Sequence, residues 1–267
     1  MSAGSAPLLQ AEQVGKVYAD ADGADVEALS NISITVDRHE FVSILGPSGC
    51  GKSTFLRMVA GLDRPTSGRI AVEGRMVTRP GADRGMVFQE YALLPWKTTL
   101  ANIAFGLQLK GVAKEERLAV ARRYLDFVGL NGFGDKYPHQ LSGGMRQRAA
   151  VARSLANGPA ILLMDEPFAA IDAITRRRLQ EEIGAILAAE GMTVLFITHS
   201  VEEAVFLSDR VVMLSGRPGR VVEEVRVDIP RPRRWDTVSR DPRFITLRDR
   251  LLAAFGEPAE ALQEEPA

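Results

Sequence analysis

The chain contains the stretch Gly46-Pro47-Ser48-Gly49-Cys50-Gly51-Lys52-Ser53-Thr54. An apolar run at 41–45 precedes it and predicts a buried strand, and the apolar residues at 55–60 predict the first turns of a helix. A glycine-rich loop ending in Gly-Lys-Ser, placed between a strand and a helix, is typical of a phosphate-binding loop. The stretch therefore predicts an α/β fold with a nucleotide site at this loop.

The residue types of the loop suit a bound nucleotide. Its three glycines let the backbone turn tightly and bring amide groups against phosphate oxygens, and the N-terminus of the next helix adds a partial positive charge. We expect Lys52 to reach the β- and γ-phosphates, Ser53 to ligate Mg²⁺ and Thr54 to bond the α-phosphate.

Two carboxylates follow a second apolar run at 161–164. Asp165 and Glu166 end this run, so they lie at the carboxyl end of a predicted strand, where open α/β sheets bind their ligands. We expect Asp165 to contact Mg²⁺ through a water molecule. We expect Glu166 to act as the general base toward the attacking water.

A third motif shows which family the sequence resembles. The stretch Leu141-Ser142-Gly143-Gly144-Met145 resembles the signature of ATP-binding cassette (ABC) proteins, with Met in place of the usual Gln. The resemblance covers nearly the whole chain and implies an ATP-hydrolysing enzyme. It also implies a head-to-tail homodimer with two ATP molecules, each held between the phosphate loop of one subunit and the signature of the other.

The resemblance assigns roles to four single residues. Tyr18 stands where the family has its adenine-stacking aromatic residue. Gln89 resembles the glutamine of the Q-loop, a catalytic residue and Mg²⁺ ligand. Asp172 resembles the aspartate of the D-loop, and His199, which follows a β-branched run, resembles the catalytic switch histidine.

The neighbourhood of the signature agrees with the role that the resemblance implies. Ser142, Gly143 and Gly144 precede an alanine-rich run that extends to residue 155 and has high helix propensity. Small residues and a hydroxyl at a helix N-terminus suit an anion such as the γ-phosphate. An ordinary serine N-cap is compatible with that role.

Composition narrows the class of protein. The chain has 267 residues, of which 46% are hydrophobic and 25% charged, with a net charge of -1. The balanced charge gives no indication of nucleic-acid binding. No apolar stretch approaches the about 18–20 residues that span a bilayer, and the N-terminus lacks the features of a secretory signal. We therefore expect the protein to stay in the cytoplasm, and the resemblance implies a peripheral position on the cytoplasmic face of the cell (inner) membrane.

The organisation predicted from the sequence is an ABC ATPase fold. It comprises a phosphate-loop NTPase core with a parallel sheet, an N-terminal antiparallel β-lobe and an inserted helical subdomain. We expect the ATPase domain at 8–230, with the helical subdomain at about 90–157 and a short C-terminal extension at 231–267. Predicted strands lie at 41–45, 84–88, 160–165, 192–198, 210–214 and 220–229, and predicted helices at 115–128 and 241–255.

Local phrases resemble the nitrate, sulfonate and taurine importer group of the family, and they lie at 93–96, 165–172 and 215–220. This subgroup implies that the chain energises uptake of a small solute through a separate membrane permease. A periplasmic or extracellular solute-binding protein would act as an indirect partner. The alternative is a non-transport ABC ATPase acting on a macromolecular assembly, and the sequence alone does not name the solute.

Two features of the sequence each have two possible interpretations. The apolar cluster at 91–96 suits a docking groove for a helix of the permease, but it also suits packing inside the helical lobe. Cys50, the single cysteine, lies in the phosphate loop. It is either a reactive thiol or an inert small residue at a variable loop position.

Overall fold

The computed structural model describes residues 6–19, 25–169 and 171–256. The part of the predicted C-terminal extension beyond residue 256 lies outside the described residues. The chain divides into two compact units, one made of Met1–Gly81 with Met192–Ala267 and the other of Ala82–Gly191. Among the described residues, no helix combines the length and the apolar character needed to cross a bilayer.

The described residues form ten strands. In chain order they are β1 (Leu9–Ala19), β2 (Asp25–Val36), β3 (Phe41–Leu45), β4 (Ser67–Val72), β5 (Arg75–Met76), β6 (Arg84–Val87), β7 (Ile161–Asp165), β8 (Thr193–Thr198), β9 (Arg210–Leu214) and β10 (Val221–Arg226).

The same residues form nine α-helices. In chain order they are α1 (Lys52–Ala60), α2 (Thr99–Ile103), α3 (Phe105–Leu109), α4 (Lys114–Phe127), α5 (Gly143–Leu155), α6 (Ala173–Ala189), α7 (Val201–Leu207), α8 (Trp235–Val238) and α9 (Pro242–Gly256). A 3₁₀ turn at Pro138–Gln140 leads into the signature.

The first unit contains two groups of strands. Strands β2, β1, β4 and β5 form an antiparallel sheet in that order, which confirms the predicted N-terminal β-lobe. Strand β3 runs parallel to both β8 and β9, and β10 pairs antiparallel with β9. Every residue of β3 and β8 is buried. This burial explains why both strands are continuous apolar runs rather than alternating patterns.

The second unit pairs β6 with β7 in parallel and adds helices α2 to α6. The helix predicted at 115–128 contributes an apolar face to the helical core of this unit, because Ala121, Leu125 and Val128 are buried and Leu118 packs against them. Gly129 has a φ of 67°, the left-handed conformation that ends a helix.

The strand predicted at 220–229 is too long. Strand β10 ends at Arg226, which lies opposite Arg210, the first residue of β9. One backbone hydrogen bond continues beyond it, from Val227 N to the carbonyl of Asp209 at 2.9 Å. The other predicted strands and helices agree with the structure to within one residue at each end. The boundaries of the helical subdomain, about 90–157, stay a prediction.

Candidate functional site

The phosphate loop lies between β3 and α1, as the sequence predicts. Gly49 and Gly51 have φ values of 80° and 99°, a region that favours glycine. A Cβ atom on Gly51 would lie 2.7 Å from Leu29 Cδ2 and 2.9 Å from the carbonyl of Ala28. Glycine is therefore required at 51 both by backbone conformation and by space, and this places the N-terminus of α1 directly at the loop.

Lys52 is held against its own loop. Its side chain is buried, and Nζ donates hydrogen bonds to the carbonyls of Gly46 at 2.7 Å and Pro47 at 2.9 Å. Ser53 and Thr54 occupy the first turn of α1 and are partly buried. The ammonium and the two hydroxyls thus lie around the N-terminus of one helix, where an anion is favoured.

Cys50, within the loop, is 1% exposed. A Cβ atom placed on Gly46 would lie 2.8 Å from its sulfur. This burial supports the interpretation of Cys50 as an inert packing residue, because reactive thiols are solvent accessible.

His199 and the phosphate loop each directly follow one of two neighbouring strands of the same sheet. Leu45, the last residue of β3, pairs with Thr198, the last residue of β8. Gly46 directly follows β3 and His199 directly follows β8, and His199 is exposed. The strand register therefore brings the predicted switch histidine to the same sheet edge as the loop.

Tyr18 lies near the end of β1 and is 38% exposed. Its hydroxyl donates to Asp63 Oδ2 at 2.7 Å, and Lys16 Nζ, which bonds Asp63 Oδ1 at 2.7 Å, lies 4.7 Å from the ring centroid. Desolvation, reinforced by the hydrogen bond to Asp63, raises the pKa of the Tyr18 hydroxyl. These contacts fix the ring orientation, and its contact with adenine stays a prediction.

The second unit brings the two predicted acids and Gln89 to one sheet edge. In the parallel pair β6 and β7, Val87 lies opposite Met164. Gln89 follows Val87 by two residues, and Asp165 and Glu166 follow Met164 directly. Glu166 has a φ of 44°. A non-glycine residue in this region costs free energy, and such strain is commonly found at functional sites.

The signature serine and the predicted D-loop aspartate each cap a helix. Ser142 Oγ accepts a hydrogen bond from Met145 N at 3.3 Å at the start of α5, and Ser142 is exposed. Asp172 Oδ1 accepts from Thr175 N at 3.0 Å at the start of α6. The hydrogen bonds from Thr175 lower the pKa of Asp172. Gly143 and Gly144 form the first turn of α5, so this helix N-terminus is open to an anion.

Arg153 and Asn102 support the segment after Gln89, and no local sequence pattern indicates either residue. Arg153 donates to the carbonyls of Tyr91 at 3.2 Å and Ala92 at 2.5 Å, two residues with left-handed φ values of 58° and 48°. Burial lowers the pKa of Arg153. Asn102 is fully buried and bonds four backbone groups between residues 94 and 98. Both residues act through bonds to loop backbone groups, which leave no periodic signal.

Comparison with known proteins defines the class of this chain. The family model for ABC transporters matches residues 29–169. The chain belongs to the ABC transporter family, and it is an ABC-type ATPase that serves as the ATP-binding subunit of a transporter.

Three relatives illustrate how similar this chain is to known ATP-binding proteins. An uncharacterized ABC transporter ATP-binding protein of Methanocaldococcus jannaschii is 52% identical over 244 residues, 91% of this chain and 90% of the relative. The nitrate import ATP-binding protein NrtD of Synechocystis is 48% identical, over 91% of this chain and 93% of the relative. The bicarbonate transport ATP-binding protein CmpC of Synechocystis is 45% identical, over 90% of this chain and 37% of the relative.

Solved structures confirm the ABC ATPase fold. A dimeric ATP-binding cassette in a post-hydrolysis state, bound to ADP and Pi, matches 83% of this chain with a TM-score of 0.71 and 32% identity. A second dimeric cassette matches the same share with a TM-score of 0.72.

Proposed function

We propose that this chain is the ATP-hydrolysing subunit of an importer that takes up a small anionic solute such as nitrate. The observation that carries the proposal is the 48% identity to a nitrate import ATP-binding protein along 91% of this chain. Similarity to a bicarbonate transport ATP-binding protein supports the same class of small anion. The nitrate, sulfonate and taurine group indicated by the sequence includes this class.

For ATP binding, we assign the phosphates to loop residues 46–54 and the adenine to Tyr18. The buried ammonium of Lys52 and the open N-terminus of α1 support phosphate binding. Ser142, Gly143, Gly144 and Asp172 would contribute from the second subunit of a homodimer. The dimeric state of the related cassettes supports this arrangement.

For hydrolysis, we assign Glu166 as the general base, with His199 and Gln89 positioning the attacking water. Ser53, Gln89 and, through water, Asp165 would hold Mg²⁺. Hydroxyl, amide and carboxylate oxygens are hard donors of the kind that Mg²⁺ prefers, so the donor set fits this ion. Bound Mg²⁺ supplies charge neutralisation of the phosphates.

For the partner, we assign a cavity in the second unit to a helix of a membrane permease. The cavity has a volume of about 420 Å³ and is lined by apolar and basic side chains, among them Leu94, Phe105, Leu109, Lys110 and Arg153. Leu109 is 73% exposed. An apolar groove with a cationic rim suits an amphipathic helix that carries an acidic residue.

Some residues of the apolar cluster at 91–96 agree with packing inside the helical lobe, and others agree with docking. Leu93 packs against the helical core, whereas Leu94 lines the cavity and Trp96 is 70% exposed. A tryptophan exposed to this degree, two residues after a residue that lines an apolar cavity, supports docking. On this proposal the subunit binds peripherally at the cytoplasmic face of the inner membrane. A periplasmic or extracellular solute-binding protein delivers the solute to the permease.

Deletion of the gene and measurement of labelled nitrate uptake test the importer proposal. We expect uptake to fall to background and to recover with the parent chain, but not with Lys52→Ala. Undiminished uptake of nitrate, bicarbonate, sulfonates and taurine in the deletion strain would contradict the proposal.

Docking has its own test, in which the tagged chain is purified from membranes with its permease. We expect Trp96→Ala and Leu109→Ala to reduce the permease recovered. Leu62→Ala, a matched control in the other unit at a leucine that is 54% exposed, should leave recovery unchanged. Equal recovery with all three variants would contradict docking at this cavity.

A further inference from the structure

The C-terminal extension is attached to α7, the helix that follows His199. Trp235 stacks on Phe206 of α7, with ring centroids 4.1 Å apart and planes 6° from parallel. Phe244 of α9 packs edge-on against the same indole at 5.9 Å. All three side chains are buried. Trp235 and Phe244 of the extension are therefore part of the core around α7.

Arg233 of the extension caps the C-terminal end of α7. Its Nη1 atom donates to the carbonyls of Val205 at 3.2 Å, Phe206 at 2.9 Å and Ser208 at 2.7 Å. Its Nε and Nη2 atoms donate to the carbonyl of Ile229. Burial lowers the pKa of Arg233 to about 10, so the guanidinium is charged at neutral pH. A cation is stabilising at a helix C-terminus, where the last carbonyls lack helical partners.

A second arginine anchors the extension to the sheet. Arg231 Nη2 donates to the carbonyl of Leu207 at 2.6 Å and to Asp209 Oδ1 at 2.9 Å. Asp209 Oδ2 in turn accepts from the backbone N–H of Phe41 at 2.9 Å, at the start of β3. The cap on α7 is thus held in place relative to the strand that leads into the phosphate loop.

The other end of α7 is bonded to both neighbours of His199. Thr198 Oγ1 donates to Glu203 Oε2 at 2.7 Å in a buried contact. Ser200 N donates to Thr198 Oγ1 at 3.0 Å, and Ser200 Oγ accepts from Glu203 N at 3.3 Å. Because α7 has seven residues, it is about 10 Å long, and its two ends are only about two turns apart.

We propose that Arg233 is a positioning residue for His199. By capping α7 it fixes the first turn of that helix, and the bonds of this turn to Thr198 and Ser200 fix the backbone on both sides of the histidine. Arg233 acts through α7 and is not assigned to the nucleotide site. The proposal rests on the role in ATP hydrolysis that is proposed above for His199.

The test is steady-state ATP hydrolysis by the full chain, with nucleotide affinity measured separately. We expect Arg233→Ala to lower kcat about tenfold, since small displacements of a positioned group cost this much or more. The KM and the Kd for ATP should change less than about twofold, because the phosphate loop is intact. Arg233→Lys, which keeps the charge, should retain more of the rate. Arg234→Ala, a matched control whose side chain is 67% exposed, should match the parent.

A double-mutant cycle separates positioning from general stability. If Arg233 acts through His199, the double variant Arg233→Ala/His199→Ala should hydrolyse ATP no more slowly than His199→Ala alone. The proposal would be overturned if the losses of the two single variants multiply in the double variant. It would also be overturned if Arg233→Ala has the kcat of the parent, or if it loses kcat and nucleotide affinity in parallel. A parental rate in His199→Ala would instead refute the role proposed for the histidine.

Folding of each variant is checked by circular dichroism and by the fluorescence of Trp235 in a Trp96→Phe background. If Arg233→Ala does not fold, Arg233→Lys carries the same comparison, with an expected fall in kcat of about threefold. A fall of that size which persists in the His199→Ala background would then overturn the proposal.

Discussion

Replacing Asn102 by alanine tests how the segment that carries Leu94 is held. The Asn102 amide nitrogen lies 3.1 Å from the carbonyl of Leu94, 3.0 Å from that of Lys97 and 3.1 Å from that of Thr98. Its oxygen accepts from Leu94 N at 2.7 Å. The amide has two hydrogens, so three full hydrogen bonds are lost. At about 1 kcal/mol each, the free energy of unfolding should fall by about 3 kcal/mol.

Urea unfolding followed by circular dichroism measures this change. Asn131→Ala is the matched control, because Asn131 is exposed, and its effect should stay within about 0.5 kcal/mol. Asn102→Asp keeps the acceptor but turns an oxygen toward three carbonyls, so it should destabilise at least as much as alanine. A loss below about 1 kcal/mol for Asn102→Ala would refute the reasoning.

Two further predictions concern the nucleotide site. Chains carrying Ser142→Arg, mixed with chains carrying Lys52→Ala, should form dimers in the presence of ATP that neither variant forms alone. The reason is that one intact composite site remains in the mixed dimer. If gel filtration shows no more dimer in the mixture than with either variant alone, the signature does not act on the other subunit's ATP. Cys50 should react with a thiol-specific chromogenic reagent at least about 10²-fold more slowly in the native protein than in urea, because the thiol is buried and reacts only after local opening. Equal rates in the two conditions would show that the thiol is accessible in the native protein.

The fold follows closely from local sequence patterns. The buried runs at 41–45 and 193–198 are predicted because both faces of a central strand require apolar residues. The helix at Lys114–Phe127 is predicted because its apolar face has helical spacing and Gly129 marks its end. Where the prediction is wrong, at 220–229, the reason is tertiary: the neighbouring strand begins at Arg210, so the regular ladder ends at Arg226, with one further backbone bond between Val227 and Asp209.

The candidate site is predictable to the extent that its chemistry is local. The loop residues and the acids at the end of β7 lie next to buried strand residues, so both the residue type and the position are visible in the sequence. The structure adds the register that places His199 beside Gly46, which depends on the pairing of residues far apart in the chain. Arg153 and Arg233 could not be predicted, because an arginine that donates to distant carbonyls resembles any other charged residue in the sequence.

The rate of ATP hydrolysis by Glu166→Gln tests the central assignment most directly. The amide keeps the shape of the side chain but cannot accept a proton, so kcat should fall by about 10²- to 10⁴-fold while ATP still binds. A dimer should accumulate with ATP and not with ADP, visible by gel filtration. Hydrolysis at the parental rate would contradict the assignment of Glu166 and with it the proposed mechanism.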